Sequence, residues 1–132
     1  MIHGVGVDVV AVSGFGEQLA RPGTALRSSF TAAELRDAAG DGRDAAAQTK
    51  HLAARWAAKE AVIKAWSGGR FGQGLITESV PPRDVEVRTD AWGRPSVRLR
   101  GVIGEALGGA RIHVSLSHDG DVATAFVVIE TG

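Results

Sequence analysis

Apolar residues fill most of the N-terminal segment Ile2–Val12, and a single carboxylate, Asp8, interrupts them. A short run rich in valine and glycine is typical of a buried strand. A short helix is predicted around Phe15–Ala20. Further along, Thr31-Ala32-Ala33-Glu34 matches a capping box, which predicts a helix that starts at Thr31 and runs to Gly40.

The longest predicted element is a helix over Asp44–Ser67. This segment is rich in Ala, Leu, Arg, Lys and Glu, and it contains no internal glycine or proline. The next segment, Gly68–Pro82, contains four glycines and two prolines and therefore predicts a long surface loop.

The C-terminal half predicts two antiparallel strand pairs separated by a short helix. In chain order these are strand Asp84–Thr89, turn Trp92-Gly93-Arg94-Pro95, strand Ser96–Leu99, helix Val102–Leu107, strand Ile112–Ser117, turn Asp119-Gly120 and strand Val122–Glu130. The pattern predicts one α+β domain spanning residues 1–132, in which a small, mostly antiparallel sheet packs on the long helix.

Composition narrows the classes of function. The 132 residues include fifteen basic and fifteen acidic side chains, so bulk charge favours neither a nucleic acid nor an anionic membrane as partner. No apolar run approaches the ~20 residues of a membrane span, and no signal peptide is predicted. The absence of cysteine excludes disulfides, thiolate catalysis and cysteine-ligated zinc, and it favours a cytoplasmic protein.

Two carboxylates stand in apolar surroundings. Asp8 interrupts the first strand, and Glu60 shares one face of the long helix with apolar neighbours, which are Ala53, Trp56, Ala57 and Ile63. Burying a carboxylate is costly unless another group compensates its charge. An ion pair with Lys64, one turn further on, is the structural explanation for Glu60, and a metal ion is the functional one. The helix geometry leaves both open.

A second group of polar side chains lies in the segment His113–Asp119. Strand alternation places His113, Ser115 and Ser117 on one face, with His118 at the strand end. Neighbouring residues of one strand cannot by themselves form a hydrolase triad, and no G-x-S-x-G motif is present. Hydroxyls and an imidazole at one edge are better suited to binding a phosphate.

Three segments together resemble the holo-[acyl-carrier-protein] synthase family, the short, single-domain class of 4'-phosphopantetheinyl transferases. They are Gly4-Val5-Gly6-Val7-Asp8, Arg55-Trp56-Ala57-Ala58-Lys59-Glu60-Ala61-Val62-Ile63-Lys64-Ala65 and His113-Val114-Ser115-Leu116-Ser117-His118. The Trp92–Pro95 turn and the helix start at Thr31 fit the same pattern, so the resemblance extends over nearly the whole chain.

The resemblance implies a 4'-phosphopantetheinyl transferase fold assembled as a homotrimer, with coenzyme A sites at the subunit interfaces. The implied reaction moves 4'-phosphopantetheine from coenzyme A to a serine of an acyl-carrier protein and releases adenosine 3',5'-bisphosphate. The acceptor is either a free carrier protein or a carrier domain of a multienzyme synthase. Asp8 and Glu60 would hold Mg²⁺, Lys64 would reach the same phosphates, and Glu60, directly or through water, would take the serine proton.

The same resemblance implies positions for the rest of the donor. Arg55, Ser117 and His118 match family positions near the 3'-phosphate and adenosine, and Gly93 and Pro95 match the turn that contacts adenine. Ser67 stands close behind Lys64, where the family usually has glycine. The predicted first helix lacks the basic residues with which family members contact an acidic carrier protein.

Two other classes of function compete with this interpretation. One is a carrier-binding module that keeps the fold without catalysis. The other is a magnesium-dependent phosphohydrolase that cleaves nucleotide pyrophosphates with water as the nucleophile.

Overall fold

The computed structural model describes residues 1–132 and confirms an α+β fold. Its elements are β1 (Ile2–Ala11), α1 (Val12–Ala20), α2 (Ala32–Ala39), α3 (Ala45–Gly68), β2 (Val85–Thr89), β3 (Pro95–Leu99), α4 (Gly101–Ala106), β4 (Arg111–Asp119) and β5 (Val122–Glu130). Short 3₁₀ turns at Leu26–Ser29 and Pro82–Asp84 were not predicted. None of the helices has both the length and the hydropathy needed to cross a lipid bilayer.

The strands form two sheets, whereas the sequence predicted one. The larger sheet has the order β1-β5-β4, and β2 pairs only with β3; every pairing is antiparallel. Within the larger sheet, Asp8 lies opposite Ala125, and Ala125 lies opposite Leu116. The hairpin β2–β3 packs its valines into the common core without adding a hydrogen-bonded strand to the larger sheet.

Helix α3 lies across the larger sheet at unusually close range. Its alanines are the reason, because five of them are fully buried: Ala53, Ala57, Ala58, Ala61 and Ala65. On the strand side, a Cβ at Gly4 or Gly6 would overlap the carbonyl oxygen of Ala65 or Ala61, respectively. The two glycines of the N-terminal motif therefore permit helix–strand packing, a use of glycine that does not require a phosphate ligand.

Helix α1 begins three residues earlier than predicted, at Val12. The cause is Asp121, in the turn before β5. Its side chain accepts hydrogen bonds from the backbone N–H of Ser13 (2.9 Å) and from the Ser13 hydroxyl (2.6 Å). This cap comes from a residue more than 100 positions away, so no local pattern could reveal it.

A buried ion pair joins three elements. The capping box at Thr31 is confirmed, because the Glu34 carboxylate accepts the Thr31 N–H and the Thr31 hydroxyl accepts the Glu34 N–H. Glu34 also accepts a hydrogen bond from Lys59 Nζ (2.8 Å), and both side chains are fully buried. Lys59 Nζ donates further to the carbonyl oxygens of Pro82 (2.9 Å) and Val85 (2.7 Å). Lys59 thus ties α2 and the return of the loop 69–81 to α3.

Candidate active site

Asp8, Glu60 and Lys64 meet where β1 crosses α3. Asp8 points to the α3 side of the sheet, and Lys64 Nζ lies 2.7 Å from its Oδ1 and 3.3 Å from the carbonyl oxygen of Val7. The Lys64 side chain remains 55% exposed. It is therefore held by Asp8 and still accessible to a ligand.

The charges of this group do not balance. Burial, and secondly the charge of Asp8, raise the pKa of Glu60 above its ordinary value, while Lys64 acts in the opposite direction. The hydrogen bond with Asp8 and the charge of Asp8 raise the pKa of Lys64. The Glu60–Lys64 ion pair, one of the two explanations left open for Glu60, does not form, because the only salt bridge of Lys64 is to Asp8. Two carboxylates therefore share one ammonium group.

This donor set fits a magnesium ion. Mg²⁺ is usually held by one or two carboxylates, with water and substrate phosphates completing its shell. The chain offers two hard oxygen donors here, and no group of three or more metal-ligating side chains lies anywhere in the structure. A cation beside Glu60 would also counteract the burial and the charge of Asp8, which together raise the pKa of this carboxyl.

A cavity of about 200 Å³ lies on another side of α3. It brings together three residues that the sequence assigned to the donor, Arg55, Gly93 and His118. It also contains residues that the sequence analysis missed, which are Arg43, His51, Ala54, Thr89 and Leu116. Its ionisable side chains are all basic.

Arg55 is the most unusual residue of this basic cavity. It is 2% exposed, yet no carboxylate lies within ion-pair distance. Its Nη1 donates to the carbonyl oxygen of His51 (3.0 Å) and its Nη2 to Thr89 Oγ1 (3.4 Å), whereas Nε is the one buried side-chain polar atom of the protein without a partner. Burial lowers the pKa of Arg55. A buried guanidinium with a free N–H is costly, and an anion supplies both the missing charge and the acceptor.

His51 strengthens the same conclusion. Burial lowers its pKa, and the positive charges of Arg43, Arg55 and His118 lower it further. The histidine precedes Arg55 by four residues, so the helical repeat places both on one face of α3. That spacing is the signal by which the sequence could have revealed His51.

The remaining predicted donor residues lie elsewhere. Ser67 lines a third cavity, beneath the loop that follows α3, and Pro95 lies in a polar groove along the β2–β3 hairpin. Ser117 is exposed on the outer face of the larger sheet. Strand alternation also places His113 and Ser115 on that outer face, as predicted.

Helix α3 separates the group of Asp8, Glu60 and Lys64 from the basic cavity within one chain. Asp8 on β1 and Leu116 on β4 flank Ala125 of the central strand, which is buried in the core cluster with Ala57 and Ala61. The carboxylate pair lies toward β1, and the basic cavity includes Leu116 of β4. None of Asp8, Glu60 and Lys64 lines the basic cavity.

The 4'-phosphopantetheinyl transferase superfamily has a sequence model that matches residues 4–127. The chain belongs to this superfamily. The motif resemblance noted in the sequence is thereby confirmed over almost the entire chain.

Individual members of the superfamily are similar to this chain in sequence and in structure. A holo-[acyl-carrier-protein] synthase of Mycobacterium sp. (strain KMS) is 57% identical over 129 residues, covering 98% of this chain and 97% of the relative. The solved acyl carrier protein synthase of Mycobacterium tuberculosis has a TM-score of 0.82 at 48% identity and covers all of both chains. A coenzyme A complex of the synthase of Chronobacterium ammoniagenes has a TM-score of 0.88 at 42% identity, covering 97% and 96% of the two chains.

Proposed function

We propose that this chain is a holo-[acyl-carrier-protein] synthase. It transfers 4'-phosphopantetheine from coenzyme A to a serine of an apo acyl-carrier protein, or of a carrier domain in a fatty acid synthase, and releases adenosine 3',5'-bisphosphate. Residues 1–132 act as one catalytic domain. The relatives described above carry that name, and the single observation in this chain that supports it best is the unpaired, buried guanidinium of Arg55 in an all-basic cavity.

The basic cavity is suited to the 3'-phosphate of coenzyme A. The guanidinium of Arg55 and the imidazoles of His51 and His118 line the cavity and offer donors to a phosphate, and Arg43 adds charge. Gly93 borders the same cavity and leaves room for the adenine ring. We also propose that Ser117 and Pro95 contact the adenosine part of coenzyme A. Ser117 would do so from the outer face of the sheet.

The group formed by Asp8, Glu60 and Lys64 is suited to the pyrophosphate. When the carrier serine attacks the β-phosphate, negative charge grows on phosphate oxygens and on the leaving group. Mg²⁺ held by Asp8 and Glu60 would supply charge neutralisation there. Lys64, oriented by Asp8, is the fixed positive charge that the chain itself contributes. Glu60, directly or through a water molecule, accepts the serine proton.

We further propose that two copies of the chain complete each site in a homotrimer. In coenzyme A, the 3'-phosphate and the pyrophosphate are attached to one ribose, so their two binding sites must be neighbours. Within one chain, α3 separates them, and Arg55 and Lys64 are nine residues, roughly 13 Å, apart along the helix axis. The basic cavity of one copy must then face the carboxylate pair of another.

The outer face of the larger sheet supports this assembly. Val5, Val7 and Val9 of β1 are each more than half exposed, and Phe126, opposite Val7, is 49% exposed. A contiguous apolar strip of this kind on a three-stranded sheet is typical of a subunit interface. Sedimentation of the wild-type protein should give a trimer, and a fully active monomer at micromolar concentration would contradict the proposal.

Mass spectrometry of an apo carrier protein tests the function directly. After incubation with coenzyme A and Mg²⁺, the carrier should gain one phosphopantetheine on its serine. Lys64→Met should abolish the gain, and Lys50→Met, which removes an exposed lysine from the same helix, should not. Phosphopantetheine released into solution with an unchanged carrier would indicate a hydrolase, and carrier binding with no reaction of either kind would indicate a binding module.

A further inference from the structure

The third cavity has no role in the function proposed so far. It encloses about 140 Å³ between the last two turns of α3 and the loop that follows. Its apolar wall consists of five side chains, which are Ile63, Trp66, Leu75, Ile76 and Val80. Ser67, Gln73 and Thr77 place amide and hydroxyl groups at the same cavity.

Helix geometry places the wall of this cavity next to Glu60, which is not itself a lining residue. At about 100° per residue, Ile63 and Ser67 are displaced around α3 from Glu60 by roughly 60° and 20°. Strand β1 lies on the other side of Glu60, because Gly6 packs against Ala61. Glu60 therefore stands between Asp8 and the cavity, and a ligand at Glu60 and Lys64 can extend into the cavity along one helix face.

The covering loop is held in place at both ends. At its start, the N–H groups of Gly69 and Arg70 donate to the α3 carbonyl oxygens of Ala65 (3.2 Å) and Ser67 (3.0 Å), and Arg70 Nη2 donates to the carbonyl oxygen of Gly74 (2.9 Å). At its return, Lys59 Nζ donates to the carbonyl oxygens of Pro82 and Val85. The cavity is thus covered by a segment with fixed ends, whose one basic side chain, Arg70, is already hydrogen-bonded.

We propose that this cavity binds the branched dimethyl carbon of the transferred phosphopantetheine arm and thereby selects for it. The inference rests on the proposed function, because it needs the pyrophosphate at Glu60 and Lys64. In coenzyme A, the quaternary carbon with its two methyl groups is separated from the phosphate oxygen by only one CH₂. An arm whose phosphate lies at Lys64 must place this apolar branch within about one helical turn, where Ile63 and the loop side chains provide an apolar wall.

The size of the cavity fits this occupant. An apolar cavity of about 150 Å³ holds one benzene molecule, so 140 Å³ accommodates roughly six carbon-sized atoms. That is enough for the branched carbon with its neighbours and too little for the whole arm. The hydroxyl and amide that follow the branch in the arm find partners of the right kind in Ser67, Gln73 and Thr77.

Kinetics with two donors test the proposal. One donor is coenzyme A, and the other is an analogue in which hydrogens replace the two branch methyls. Wild-type kcat/KM should fall about tenfold with the analogue, since one apolar carbon in a fitted pocket is worth at least that factor. Ile76→Ser should lose activity with coenzyme A but little with the analogue, so that the ratio shrinks to about threefold.

Phe71→Ser is the matched control. Phe71 belongs to the same loop but is 97% exposed and does not line the cavity, so both donors should keep their wild-type rates. Leu75→Ser is a second lining variant, exposed enough to leave the fold intact, and should repeat the effect of Ile76→Ser. Equal wild-type rates on both donors, or a tenfold ratio kept by both lining variants, would overturn the proposal. Failure of the proposed function is distinct, because coenzyme A itself would then not modify the carrier.

Discussion

Gly6 of β1 lies so close to Ala61 of α3 that a Cβ on the glycine would overlap the alanine carbonyl oxygen. This close approach sets the position of Asp8. Two residues further along β1, Asp8 points to the same side of the sheet and reaches Lys64 on α3. Gly6, which allows the close packing, and Asp8, which reaches Lys64, thus belong to one motif because both face α3 from the same side of β1.

Gly6→Ala is predicted to damage both stability and activity. The added methyl meets backbone atoms of α3, which cannot move aside as a flexible side chain would, so unfolding should become easier by about 1–3 kcal/mol or more. Urea denaturation measures this change. Gly14→Ala is the control, because a Cβ there has nothing within 4 Å and its helix should be unaffected or slightly more stable. Equal stability of the two variants would contradict the packing argument.

Asp8→Ala and Glu60→Ala are each predicted to abolish transfer while the protein stays folded. Both carboxylates lie in apolar stretches. Burial, and secondly the charge of Asp8, raise the pKa of Glu60, and the ion pair of Asp8 is with the half-exposed Lys64, so neither carboxylate is expected to contribute much to stability. Carrier modification at saturating Mg²⁺ measures activity, and circular dichroism verifies the fold. Glu105→Ala, which removes an exposed carboxylate from α4, should retain full activity. Near-normal magnesium-dependent turnover in either variant would show that the metal assignment is wrong.

Lys59→Met is predicted to destabilise the fold by about 3–5 kcal/mol, because it leaves the fully buried Glu34 without its cation. The carbonyl oxygens of Pro82 and Val85 lose a donor as well. Adding Glu34→Gln should recover part of the loss, since the neutral carboxamide that replaces the carboxylate leaves no unpaired charge in the core. Denaturation of both single variants and the double variant gives the coupling energy, and strictly additive effects would mean that the pair is not coupled.

The order of elements could be predicted from the sequence because each carries a local signal, such as the capping box at Thr31 or the alanine-rich stretch of α3. Contacts between distant residues could not. Asp121 caps α1 although it lies more than 100 residues further along the chain. The pairing of β2 with β3 alone, apart from the larger sheet, likewise depends on tertiary packing. Motif spacing located Asp8, Glu60 and Lys64. Helix geometry could offer only Glu60 as an ion-pair partner for Lys64, since the register of β1 against α3, which brings Asp8 to Lys64, is not a property of the helix.

The basic cavity predicts a pH dependence in donor recognition. In the free protein, the pKa of His51 is lowered by burial and by Arg43, Arg55 and His118. A bound phosphate raises it, so donor binding takes up a proton between the two pKa values and tightens as pH falls through that window. The 3'-phosphate of coenzyme A also titrates, but this contribution to the pH dependence is the same for every variant. His51→Gln should therefore flatten the pH dependence of KM for coenzyme A and leave that for 3'-dephospho-coenzyme A unchanged; parallel profiles of both enzymes would exclude His51.

A substitution of Arg55 should distinguish clearly between a role in donor binding and a role in the stability of the fold. Its guanidinium is buried without a carboxylate partner, and its Nε is unsatisfied, so replacing it by methionine should leave the free energy of unfolding unchanged or slightly higher. Donor recognition should suffer, because a charge-assisted phosphate contact contributes about 1.5–3 kcal/mol, or roughly tenfold to a hundredfold in kcat/KM for coenzyme A.

With 3'-dephospho-coenzyme A, the Arg55→Met variant should match the wild type, and His118→Gln should show the same selectivity at smaller size, because His118 is exposed at the rim of the cavity. Arg36→Met, an exposed arginine on α2, serves as the control for loss of positive charge alone. If Arg55→Met lost activity equally on both donors, Arg55 would serve the pyrophosphate or the fold. The assignment of the basic cavity to the 3'-phosphate would then be wrong, since its buried arginine would not recognise that phosphate.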